Sequence, residues 1–118
     1  MPGQYRLPRR ERLTRRKEFV HLYEHGAKWV GAAFVCYMVR ADGQGNKIGC
    51  VVSRKVGGAV ARNRVKRYIR EVYRTHRSDL GPDVQVVVVA RPACAGLDYH
   101  ACEASIRQLF QKGAANGG

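Results

Sequence analysis

The stretch Val52-Ser-Arg-Lys-Val-Gly-Gly-Ala-Val-Ala-Arg-Asn-Arg-Val-Lys-Arg-Tyr-Ile-Arg70 decides how the rest of the chain is read. It is a strand end, a Gly-rich turn and the start of a helix loaded with donors. From Ala59 to about His76 the apolar period is helical. Ala61, Val65, Tyr68, Ile69, Val72 and Tyr73 fall on one arc of about 140° at 100° per residue. Asn63, Lys66, Arg67, Arg70 and Arg74 fall on the opposite arc, with Arg62 at the border of the apolar one. One face is fit to pack on a sheet, and the other presents cations. Glu71 is the only acid in the segment, so intrahelical pairs cannot neutralise that face.

Downstream, Gly81-Pro82 is a turn, and Asp83 to Ala90 is a strand with the run Val84-Gln-Val-Val-Val-Val-Ala90. A nearly continuous apolar strand belongs in the middle of a sheet, covered on both faces. Pro92 ends it. Asp98 is placed to cap a last helix to about Lys112, with Cys102, Ile106, Leu109 and Phe110 on its apolar face. Upstream, Lys47 to about Ser53 reads as a strand. The turn residues Ala41 to Asn46 predict a hairpin to the strand before it. That strand runs from about Trp29 to Arg40, with a possible break near Gly31. Phe34, Cys36 and Met38 share one face of it, and Val35, Tyr37 and Val39 the other, so both faces need cover. Thr14 is the expected cap of an opening helix that ends at Gly26 and carries Phe19, Val20, Leu22 and Tyr23. The order is α-β-β-β-α-β-α, or α-β-β-α-β-α if the first strand is unbroken. This is an α/β (α+β) sandwich, one mixed sheet with packed helices. The strands on either side of the basic helix are expected to be parallel.

The 118 residues suit one domain, and 45% of them are hydrophobic, so the chain is no disordered basic tail. The net charge of +13 is unevenly spread. Met1 to Lys17 holds seven Lys/Arg against one acid, and Ser53 to Ser78 nine against one, while the remainder is close to neutral. Two concentrated blocks on a neutral body mark a polyanion site, with nucleic acid favoured over an anionic membrane surface. No apolar run approaches the roughly 20 residues of a membrane span, and the basic N-terminus has no following apolar segment of the secretory kind. Cys36, Cys50, Cys94 and Cys102 form no C-x-x-C pair and fit no zinc spacing. They read as reduced structural cysteines of a cytoplasmic protein. Residues 1–12 are expected to be a flexible basic tail that orders on a partner, residues 13–112 the folded domain, and residues 113–118 a flexible C-terminal tail.

Nothing in the sequence resembles the catalytic centre of a stand-alone nuclease. Glu11, Glu18, Glu24, Asp42, Glu71, Asp79, Asp83, Asp98 and Glu103 form no D-x-D or E-x-x-H pattern, whereas two-metal phosphoryl chemistry needs clustered carboxylates. His21 and His25 lie one helical turn apart, a spacing that suits a metal but equally a solvated or RNA-facing pair. Gly57-Gly58 is not a P-loop, because no G-K-[ST] follows. No metal site is expected on the protein.

The pattern Arg62-Asn63-Arg64-x-Lys66-Arg67-x-x-Arg70, preceded by Val52-Ser-Arg-Lys-Val-Gly, resembles the signature of bacterial ribonuclease P proteins. Leu13-Thr-Arg-Arg-Lys-Glu-Phe19-x-x-x-Tyr23-x-x-Gly26 is similar to the opening helix of that family, and Phe34-Val-Cys-Tyr37 to its first long strand. One departure is Gly57-Gly58, where the family often has Gly-Asn. The resemblance implies a protein that binds the catalytic RNA of ribonuclease P and precursor tRNA. The RNA makes the cut that removes the 5′ leader, with Mg2+ held mainly through RNA and no protein partner or membrane required. It implies RNA-subunit contacts at Arg54, Lys55, Arg62, Asn63, Arg64, Lys66, Arg67 and Arg70. It implies a leader cleft at Phe19, Tyr23 and Tyr37, edged by Ser53 and Lys55. It also implies a left-handed crossover around the basic helix, against the usual rule. A ribosomal or ribosome-assembly protein would share the charge and size.

Overall fold

The computed structural model describes residues 7–115. Its elements are α1 (Arg16–His25), β1 (Ala27–Val30), β2 (Phe34–Arg40), β3 (Lys47–Val51), α2 (Ala59–His76), β4 (Val84–Ala90) and α3 (Tyr99–Ala115). The long first strand of the sequence is therefore split, with residues 31–33 turning β1 back antiparallel onto β2. The four strands form one mixed sheet in the order β1-β2-β4-β3.

The expected hairpin between β2 and β3 does not form, because β4 lies between them. β4 pairs antiparallel with β2 and parallel with β3, so the strands flanking α2 are parallel as expected. The cause is apolar demand. All but one of the seven β4 residues are buried, so this strand needs neighbours on both edges and cover on both faces. The turn residues at 41–46 span one strand, roughly 10 Å of sheet, and are tied to the start of β4. Asn46 donates to the Gly81 carbonyl at 3.1 Å and accepts from the Val84 N–H at 3.0 Å. Asp83 accepts from the Gly45 N–H at 2.9 Å, and the backbone N–H donors of the 43–45 turn hold its carboxyl below the ordinary value.

Helices cover both faces. α2 and α3 pack on the face that carries Phe34, Cys36, Met38, Ile48, Val86 and Val88, all buried. They are joined by His76 Nε2 to Glu103 Oε2 at 2.7 Å, by Arg107 Nε to Asp79 at 2.9 Å, and by the Tyr68 and Tyr99 rings at 5.6 Å. α1 covers part of the other face, where Leu13, Leu22 and Val87 form a second, smaller core. α1 is not capped by the Thr14 side chain. Instead the Glu18 carboxylate turns back to accept the N–H groups of Arg15 and Thr14, at 2.9 and 3.1 Å, so the cap is Arg15 and the helix starts one residue later than expected. Asp98 does cap α3, accepting from the Ala101 N–H at 2.8 Å.

Parts of both segments expected as tails are packed against the domain. Residues 1–6 and 116–118 lie outside the described residues. Leu7, however, is buried in the main core, and Arg12 bridges to Ile48 of β3. At the other end α3 continues through Ala115. Gly113 is buried there because α3 presses on β1 and β2: an added Cβ would overlap Met38 Sδ and come within 3.3 Å of Trp29 Nε1. Alanine is favoured over glycine in a helix interior by about 1 kcal/mol, but overpacking a core costs about 1–3 kcal/mol. Gly113→Ala is accordingly expected to lower the melting temperature by several degrees, measured by circular dichroism; a rise would show that the 113–115 turn is not packed.

Candidate nucleic-acid interface

The cations of α2 stand where the helical period places them. Asn63, Arg64, Arg67 and Arg70 are exposed, and Arg62 and Lys66 are half-buried. Among the described residues, no ion pair takes up Arg62, Arg64, Lys66, Arg67 or Arg70. Glu71 is spent on Arg74, through bonds of 3.0 and 2.7 Å, which hold its carboxyl below the usual range. Arg74 therefore keeps its place on the helix but adds little free charge to the basic face. Arg62 sits at the border of the core with its Nε enclosed and unpartnered. Ser53, Arg54 and Lys55 are exposed in the turn before α2, where the Ser53 hydroxyl accepts from the Lys55 N–H at 3.3 Å. Gly58, at the position of the family's Asn, is the N-cap and supplies no side chain to the first turn. The exposed first turn of α2 is thus left without a side-chain cap beside these cations, a setting that favours phosphate. Cys50 lies under this face; burial pushes its thiol up to about 11, with the nearby Arg70 and Lys66 opposing that rise.

A second surface lies on the other side of the sheet. Strand register aligns Lys28, Tyr37, Val87 and Gly49 in one row, and Val30, Val35, Val89 and Val51 in the next. α1 lies across the first row. The Phe19 ring rests on Gly49, where an added Cβ would meet it at 2.7 Å. Phe19 is half-buried and belongs to the smaller core with Leu13 and Leu22. Tyr23 is 42% exposed, and its ring meets that of Tyr37 edge-on at 4.9 Å. Burial, and then Tyr37, raises the Tyr23 hydroxyl above its usual value. Lys28 Nζ lies 5.7 Å from the centre of the Tyr37 ring. The second row is left partly open: Val35, Val51 and Val89 are half-buried and Val30 is 55% exposed.

The structure therefore divides the expected cleft residues. Tyr23 and Tyr37 form an open aromatic pair, Phe19 is mainly packing, and Ser53 and Lys55 stand at the far rim beyond the end of β3. Sequence reasoning missed Lys28 and the valine floor. The alternation in β2 showed a second apolar face, but not which row α1 would leave uncovered.

Among the described residues, no three His, Cys, Asp or Glu side chains come together in a way that would hold a metal ion. His21 and His25 are exposed, with ring centres 5.0 Å apart. Most carboxylates carry structural duties. Glu11 pairs with Arg77, Glu18 caps α1, Asp79 holds Arg107, and Glu103 holds His76.

The ribonuclease P family pattern matches residues 7–114. The chain is 40% identical over 112 residues to the ribonuclease P protein component of Desulfovibrio desulfuricans, covering 92% of this chain and 86% of the relative. It is 35% identical over 113 residues to that of Dictyoglomus turgidum, covering 93% and 94%. Its fold matches the ribonuclease P protein of Staphylococcus aureus with a TM-score of 0.79 at 26% identity, over 86% of this chain and 94% of that one. The Thermotoga maritima protein matches at 0.78 and 25%, over 86% and 96%. A further Staphylococcus aureus structure, at 0.78 and 27% over 86% of each chain, is of a mutant with defective mRNA degradation activity. A basic helix and an aromatic pair on opposite faces of one sheet describe an RNA-binding protein; the chain belongs to the family of ribonuclease P protein components. That membership decides between the ribonuclease P and ribosomal readings in favour of the first.

Two outcomes follow from the packing. Phe19→Ala should cost roughly 2–3 kcal/mol of stability, and Tyr23→Ala under about 1, since only the first leaves a cavity over Gly49; urea titration separates them, and equal losses would place Tyr23 in the core. The hydrogen bond from His76 is the main cause that holds the Glu103 carboxyl below its usual value. A depressed folded pKa contributes stability that is present above the unfolded value, about 4.3, and is lost as pH falls through the folded one. Glu103→Gln should therefore melt below the parent at pH 7, and the gap should close as pH falls below about 4. A gap independent of pH would dismiss the ion pair as its source.

Proposed function

We propose that the chain is the RNA-binding, non-catalytic protein subunit of ribonuclease P, with two RNA surfaces. On α2 and the turn before it, Arg54, Lys55, Arg62, Asn63, Arg64, Lys66, Arg67 and Arg70 contact the catalytic RNA. On the opposite face, the Tyr23–Tyr37 pair holds the single-stranded 5′ leader of precursor tRNA, with Lys28 beside it and the valine row as its floor. The observation that carries this reading is the exposed Tyr23 ring set against Tyr37 at 4.9 Å beside a lysine. A core has no use for a half-open aromatic pair, whereas unpaired bases stack on such a platform whatever their sequence. The reading leaves the cut to the RNA and assigns the Mg2+ of the holoenzyme to RNA as well. It is supported by the engagement of Glu11, Glu18, Asp79 and Glu103 in structural pairs. Among the described residues no helix is long and apolar enough to cross a membrane.

The test is binding of precursor tRNA to the RNA subunit, with and without the protein, on substrates with and without a leader. The protein should tighten binding only where a leader is present. Tyr23→Ala should remove about 1–3 kcal/mol of that gain per base lost while leaving affinity for the RNA subunit unchanged. Arg64→Ala or Arg67→Ala should weaken RNA-subunit binding by about 1–3 kcal/mol. Cleavage of precursor tRNA or mRNA by the protein alone would overturn the non-catalytic assignment.

A further inference from the structure

The two basic blocks of the sequence meet in the fold, and one acid joins them. Glu11 accepts a hydrogen bond from the Tyr73 hydroxyl at 3.1 Å and pairs with Arg77, which follows the end of α2. Tyr73 is fully buried, so the attachment point is rigid. Leu7 is anchored in the main core on one side of Glu11, and Arg12 pairs with Ile48 of β3 on the other. The basic segment around Glu11 is thereby laid along the open edge of the sheet.

Beside it lies a pocket of about 480 Å³, lined by Arg10, Glu11, Gln44, Asn46, Lys47 and Arg77 among others. Three cations face it against one acid, and that acid is already bonded to Arg77 and Tyr73. Two other carboxylates act nearby: Glu18 on Lys47, and Asp83, bound to the 43–45 backbone. Arg12, next to this pocket in sequence, is half-buried with its Nε enclosed and unpartnered. It pairs with Ile48, whose side chain belongs to the sheet face covered by α2. Two residues further along β3, Cys50 lies against Arg70 and Lys66. Cations therefore run from the pocket, past Arg12, to the open face of α2. The 18 residues of α2 place the pocket about 27 Å from the Gly57-Gly58 turn, so it would extend the RNA contact beyond the helix start to the far end of α2.

We propose that this pocket is a second phosphate-backbone contact for the RNA subunit, made by Arg10, Lys47 and Arg77, and that Glu11 is the positioning residue that builds it. The inference rests on the reading that α2 binds that RNA, and extends it. Glu11 works against the charge of the site it organises. It subtracts one unit from the pocket, but it fixes the N-terminal cations to the end of α2.

The experiment is binding of the full chain to ribonuclease P RNA transcribed from the same genome, at several monovalent salt concentrations. Arg10→Ala with Lys47→Ala should make the slope of log affinity against log salt shallower by about 1–2 and weaken binding by about 10-fold or more at low salt. The melting temperature should be unchanged. An unchanged slope overturns the proposal. Arg67→Ala in the same assay separates the two levels. If it shallows the slope and the Arg10 and Lys47 pair does not, only the second contact falls; if neither does, the α2 reading falls with it. Glu11→Gln removes a negative charge, so a neighbour acting only through charge would make binding tighter. Positioning predicts binding weaker by about 5-fold, and tighter binding overturns that role. The Arg10 and Lys47 variant leaves the Glu11 bonds intact and carries the test even if Glu11→Gln does not fold.

Discussion

Five of the seven residues of β4 are valine, and the strand has no polar face to turn to water. Everything else in the molecule answers that constraint. A strand apolar on both sides needs helices above and below it, and neighbours at both edges. α2 and α3 supply one cover and α1 the other. Two helical layers on opposite sides of a single sheet follow, and with them two surfaces that face away from each other. The basic helix and the aromatic pair are kept apart by the sheet between them, so neither surface crowds the other.

The α1 layer is the thinner of the two, and its thinness matters. A single ten-residue helix cannot cover the whole face. Phe19 seals the part over Gly49, and the glycine is what lets the ring come so close. Beyond it the valine row stays half-exposed. An incomplete cover is a flaw in a purely structural layer, yet here it leaves an apolar strip flanked by tyrosines and a lysine.

Much of this was legible in the residues. The α2 period placed both its buried and its basic faces, since Val65, Ile69, Val72 and Tyr73 recur at helical spacing and are all buried. The valine run declared a central strand, and Asp98 declared a cap. The failures share a cause. Turn residues at 41–46 announce a reversal but not what lies on the far side of it, so the β2–β3 hairpin was a local inference overruled by the demands of a strand 40 residues away. Thr14 has the right chemistry for a cap, but Glu18 three residues past Arg15 competes for the same donors. Glycine and alanine at 113–115 suggest a loose tail, and only the approach of Met38 and Trp29 shows why small residues are required there. Of the cleft, the tyrosines could be named from sequence, while Lys28 and the open valine row depend on register and on how far α1 extends.

The order of the strands also bears on how the chain is made. The strand at the centre of the sheet is the last to be synthesised. When β2 and β3 leave the ribosome, the neighbour they share does not yet exist. Only the short β1–β2 hairpin can pair early, and α2 emerges with its apolar face uncovered. Closure waits for Ala90, through contacts of long sequence separation, which slow folding and prolong the exposure of apolar surface. The nascent chain therefore carries its most basic helix, already amphipathic and still unpartnered, through the part of its synthesis when it is nearest to a large body of RNA.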